Sequence, residues 1–61
     1  MKNNYNNNEL IKWARKGDIR KVIHYRQNGA DINYKDCAAL TLAAQFGYVD
    51  IVTSLITLLQ I

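Results

Sequence analysis

The chain has no proline, one cysteine and one histidine in 61 residues. After Cys37 it carries a single charged residue, Asp50. Each shortage closes off a class of protein. With Cys37 alone, no internal disulfide can form. Cys37 and His24 together fall short of the four ligands of a structural zinc site, so neither a metal nor a cofactor is expected. The longest apolar stretch, Ile51 to Ile61, is broken by Thr53, Ser54, Thr57 and Gln60, and is well under the ~20 residues that span a bilayer. "MKNNYNNNEL" has one lysine and no apolar segment behind it, so it does not read as a secretory leader. The expectation is a chain that is neither secreted nor transmembrane, in a reducing compartment such as the cytoplasm. There are no paired carboxylates, no nucleophile–base pair and no phosphate loop, which points away from an enzyme. His24 falls with Arg20 and Gln27 on the polar side of its helix and reads as an exposed bystander. Cys37 reads as a small packing residue rather than a reactive thiol.

What is present is apolar and unevenly charged. Apolar residues make up 49% of the chain, too many for disorder by composition. The length allows one small domain, whose core rarely supplies more than roughly 3–5 kcal/mol. The net charge is +3, and every Lys and Arg lies between Lys2 and Lys35. The first half is therefore basic and soluble, and the second half reads as something to be covered.

The chain also repeats. Gly17 and Gly47 stand 30 positions apart, and at the same offset Leu10 meets Leu40, Ala14 meets Ala44, Ile19 meets Val49, and Val22 meets Val52. Each copy reads as two helices. In the first, Asn8 caps a helix carrying Leu10, Trp13 and Ala14, and Gly17 ends it. Asp18 caps a second helix with a buried stripe of Ile19, Val22 and Ile23, and Asn28-Gly29 ends that one. In the second copy the helices run from Ala38 to Phe46 and from Val49 to about Leu59, separated by Gly47. The glycines Gly17, Gly29 and Gly47 are thus assigned to helix ends. Changing Gly29 or Gly47 to Val is expected to cost about 1 kcal/mol or more, because a β-branched residue resists positive φ; an unchanged melting transition in both variants would refute the assignment.

Helix, Gly break, helix, then Gly-Ala-Asp-Ile-Asn resembles the ankyrin repeat. "LIKWARKGDIRKV", "NGADIN" and "LTLAAQFGYVDIV" carry the resemblance, which covers Asn8 to about Ile56. It implies an all-α fold of ankyrin-type helix-turn-helix repeats, about two in number with the second incomplete, joined by a short finger. The implied division is an Asn-rich flexible tail over 1–7, a first repeat of N-terminal capping type over 8–36, and a truncated, uncapped second repeat over 37–61. The period is 30 where the family's is about 33. The missing residues fall between Asn33 and Leu40, where the family's Gly-x-Thr-Pro turn would lie. In this the chain is similar to the 30-residue-period ankyrin proteins of amoeba-infecting giant viruses, which would place it in a host cytoplasm. Trp13 stands where Ala is usual and Arg26 where Leu is usual, both on a terminal repeat whose outer face meets water.

The resemblance implies noncovalent binding of a protein partner through the finger and the inner helix surface. Tyr34, Lys35, Thr41, Gln45 and Phe46 are the candidate contacts. Lys12, Arg15 and Lys16, with Arg20 and Lys21, form a basic face, read as solvated surface in preference to a weak nucleic-acid footprint. The last helix carries Ile51, Val52, Leu55, Ile56, Leu58 and Leu59 without a polar outer face, so self-association through it is a further expectation. "LITLLQI" stops without a polar cap, which also suits a truncated or degenerate product with no function of its own.

Overall fold

A computed structural model describes residues 4–59 in backbone and 4–57 in side chains. It is all-helical: α1 (Tyr5–Lys16), α2 (Ile19–Gln27), α3 (Tyr34–Gln45) and α4 (Val49–Leu59). Among the described residues there is no strand. Helix α1 packs on α2 and α3, and α4 packs on α3 and α2, so two helical hairpins lie side by side.

The helix ends follow from local chemistry. The side chain of Asp18 accepts a hydrogen bond from the Lys21 N–H (3.2 Å) and caps α2, satisfying one of the donors a helix start leaves open. Each glycine ends a helix with the same pair of backbone bonds. Gly17 N–H donates to the Ala14 carbonyl and Asp18 N–H to that of Trp13. Gly47 and Tyr48 repeat the pair on Ala44 and Ala43, and Gly29 and Ala30 on Arg26 and Tyr25. This pairing needs a left-handed residue at the turn, and all three glycines have positive φ. The offset of 30 is therefore present in the backbone bonds as well as in the side chains.

The core is Leu10, Ala14, Val22, Ala30, Ile32, Ala39, Ala43, Ile51 and Leu55. Alanines at the contact between the hairpins let the helix axes come close. Ile51 and Leu55, expected to lack cover, are fully buried, and Val52 is half-buried. The side chains of Leu58 and Leu59, part of the same expectation, lie outside the described residues.

Three expectations change. The flexible tail over 1–7 is helical from Tyr5 onward, and α1 starts at Asn4 rather than at Asn8. Asn7 is buried, and its Oδ1 accepts the Asp31 N–H at 2.7 Å. Asn6 reaches the Asn28 carbonyl through Nδ2 (2.9 Å). These two amides tie the start of α1 to the connector after α2, which is why the helix extends into a run of poor helix formers. Residues 1–3 of the expected tail lie outside the described residues. Arg26, expected to face water, is half-buried, and its guanidinium donates to the Ala30 carbonyl.

The third change is the finger. Asp31 closes a tight turn through its side chain on Asn33 N–H (2.9 Å) and its carbonyl on Tyr34 N–H (3.1 Å). Lys35, Asp36 and Cys37 then form one left-handed turn, with φ of 54°, 56° and 61°, closed by Cys37 N–H on the Asn33 carbonyl (3.3 Å). The right-handed part of α3 begins after it, at Ala38. This left-handed turn occupies the place of the missing finger residues. L-residues adopt this region at a cost of roughly 1–2 kcal/mol each, and rarely in succession. Lys35→Gly should stabilise the chain by about 0.5–1 kcal/mol, because relief of the Cβ clash exceeds glycine's entropic cost. In a right-handed helix the same change would destabilise by about 1 kcal/mol. A lowered melting temperature for Lys35→Gly would refute the left-handed turn.

Candidate interaction surface

The five basic residues lie on the α1–α2 hairpin, and three of them gather around one ring. Lys12 and Lys16 are a helical turn apart on α1, and Lys21 comes from the first turn of α2, across the Gly17 break. Their Nζ atoms stand 4.9, 5.5 and 5.5 Å from the centre of the Trp13 ring. Each such contact is worth about 0.5–1 kcal/mol at an exposed site. Trp13 is half-buried against the core, and its Nε1 donates to Glu9 Oε1 at 3.3 Å. The Tyr25 hydroxyl donates to the same carboxylate oxygen at 3.4 Å. A hydrogen bond with Tyr5 holds the Tyr25 phenol above its ordinary range, with burial and the Glu9 carboxylate adding to the effect. Arg15 and Arg20 are exposed on the same hairpin. The five cations are expected from the sequence as a solvated basic face; the ring among them is an addition from the structure. The spacing of Trp13 and Lys16, three apart on a helix, was the available signal. The contribution of Lys21 depends on how the hairpin closes.

The candidate contacts on α3 fall in two groups. Tyr34 precedes the left-handed turn and Lys35 opens it, with Lys35 Nζ 5.7 Å from the Tyr34 ring centre. Thr41 and Gln45, four residues apart on the right-handed part, are both exposed. Phe46 follows them, 54% exposed, with its ring centre 5.8 Å from that of Tyr48. A large aromatic side chain more than half in water is the feature of this strip that packing within the chain does not account for.

A shallow groove between α2 and α4 is lined by Ile23, Thr53, Ser54 and Thr57. Ile23, expected in the buried stripe of α2, is half-buried at this edge. Cys37 is half-buried with its thiol 3.4 Å from Asn33 Oδ1. His24 is exposed and meets Tyr25 edge-on, ring centres 4.8 Å apart. Among the described residues no group of three or more His, Cys, Asp or Glu could hold a metal ion. Among them, too, no helix is long and apolar enough to cross a membrane. No family model, curated protein or solved structure matches the chain.

Proposed function

We propose that this chain is a noncovalent protein-binding module of ankyrin-repeat type, acting in the cytoplasm and not as an enzyme. The exposed Phe46, at the end of a helix whose Thr41 and Gln45 also face water, is the observation that carries this reading. Aromatic side chains supply much of the energy of protein interfaces. The test is selection of peptide ligands from a displayed random library, followed by binding measurements on variants. Phe46→Ser and the pair Tyr34→Ala, Lys35→Ala should each weaken binding about tenfold or more, the effect of losing an interface anchor. Ligands whose affinity ignores these changes would overturn the assignment of the surface. A turnover activity lost in His24→Ala or Cys37→Ala would overturn the non-enzymatic reading.

A second reading, binding to single-stranded nucleic acid, is favoured by the three lysines around Trp13. Stacking on an aromatic ring beside cations is how such strands are held without sequence preference, and half-buried Trp13 offers the open part of its ring. It predicts affinity for a labelled oligonucleotide that falls steeply with salt, by about 0.7 in log–log slope per phosphate contacted, and that is lost in Trp13→Ala. Absence of measurable binding at low salt would remove it.

A further inference from the structure

The offset of 30 relates two faces that meet different surroundings. On the first hairpin Leu10, Ala14 and Val22 are almost completely buried. Their partners at the offset, Leu40, Ala44 and Val52, are half-buried, exposed and half-buried. Half-buried Ile19 becomes Val49, 73% exposed, and half-buried Arg26 becomes Ile56, 42% exposed. Apart from Arg26 and Ile56, which differ in chemistry, residues of equivalent position are thus more covered in the first hairpin than in the second, where Leu40 and Val52 keep one side on the core.

The molecule itself shows what covers such a face. Over Leu10, Ala14 and Val22 lies the near side of the second hairpin, carrying Ala39, Ala43, Ile51 and Leu55, all fully buried. The covering surface is therefore a helical hairpin of alanines and aliphatics, with no charge. The equivalent near side of the first hairpin cannot supply that to another copy. Its residues at the offset are Glu9, Trp13, Lys21 and Tyr25, joined by the Glu9 hydrogen bonds and ringed by lysines. Head-to-tail stacking would bury those charges without partners, at heavy cost. The surface of this chain that matches in chemistry is the open face itself.

We propose that Leu40, Ala44, Val49, Val52 and Ile56 form a self-complementary face that joins two copies of this chain about a twofold axis. An isologous contact uses the same patch from both copies and closes on itself. From residue 38 onward the sequence holds one charge, Asp50. An antiparallel crossing of the two α4 helices at their middle keeps the two Asp50 carboxylates on opposite sides of the crossing, about 12 Å apart along the helix axis. The lysine clusters then lie on the far ends of the dimer, so the net charge of +3 per copy opposes association weakly. A standard interface takes about 800 Å² from each partner, about a fifth of the 4117 Å² this chain exposes. This inference does not rest on α3 binding a partner protein.

The test is sedimentation velocity of the full chain over a range of concentrations, beside far-ultraviolet circular dichroism. A reversible monomer–dimer equilibrium is expected. Val49→Glu with Ile56→Glu, at positions already open to water, should raise the dissociation constant about 100-fold or more with helicity unchanged. Should that variant lose helicity, Val49→Glu alone, an acidic residue in the first turn where it suits the helix, carries the same reading with about a tenfold rise. A wild-type chain that stays monomeric at every concentration would overturn the proposal. So would a dimer that survives the glutamates, or one that is lost in Trp13→Ala and kept in them.

Discussion

Gly17→Ala is expected to destabilise the chain by about 2 kcal/mol, and Gly47→Ala by about 1 kcal/mol. The two glycines share a sequence position in the repeat, a left-handed φ (83° and 75°) and the same backbone bonds. What differs is the space beside them. A Cβ on Gly17 would stand 2.8 Å from the Tyr48 ring, whereas a Cβ on Gly47 would meet nothing within 4 Å. Both variants bear the strain of a side chain at positive φ. Gly17→Ala must also displace the aromatic ring that seats the second hairpin against the first. In a chain this short, whose core rarely supplies more than roughly 3–5 kcal/mol, the larger loss removes about half of the stability or more. Tyr48→Ala in the Gly17→Ala background should remove most of the difference between the two glycines, because the clash goes with the ring. Equal losses in Gly17→Ala and Gly47→Ala, read from urea unfolding, would show that Tyr48 does not pack there.

Asn7→Ala should cost about 1–3 kcal/mol, and Asn6→Ala no more than about 0.5 kcal/mol. Asn7 is 5% exposed and supplies the acceptor for Asp31 N–H. Truncating it leaves a part-buried donor without its partner, and that desolvation is the dominant cost. Asn6 makes its bond to the Asn28 carbonyl in the open, where water replaces it. The contrast is between two identical residues side by side in an asparagine run. A melting temperature that moves equally for both, or for neither, would show that the connector is held by something other than Asn7.

That pair marks a boundary in what can be read from the residues. "MKNNYNNNEL" carries no apolar periodicity, and its asparagines offer several equivalent caps, so a polar tail ending at Asn8 is the natural expectation. The helix exists there because two amides find carbonyl and N–H partners more than twenty residues away, and no local rule anticipates a partner at that separation. The finger failed for a related reason. A shortened connector between Asn33 and Leu40 was evident from the period, but how three residues absorb the shortfall depends on where the two hairpins hold its ends. The left-handed turn at Lys35–Cys37 is the answer the packing imposes. In the candidate surface, the basic residues were legible as a helical face. The ring between them was not, because Lys21 reaches Trp13 only after the Gly17 break has folded α2 back.

The sequence by itself determined the helical class, the stops at Gly17, Gly29 and Gly47, the Asp18 cap and the offset of 30. All of these rest on dihedral preferences, on hydrogen bonds between near neighbours, or on a pattern visible along the chain. Only the tertiary structure decided which of two equivalent residues is covered. Ala14 is buried and Ala44 exposed, and half-buried Ile19 becomes open Val49, although each pair has the same place in its repeat. Burial belongs to the neighbour that packs against a face. The first hairpin has the second beside it, and the outer face of the second meets water.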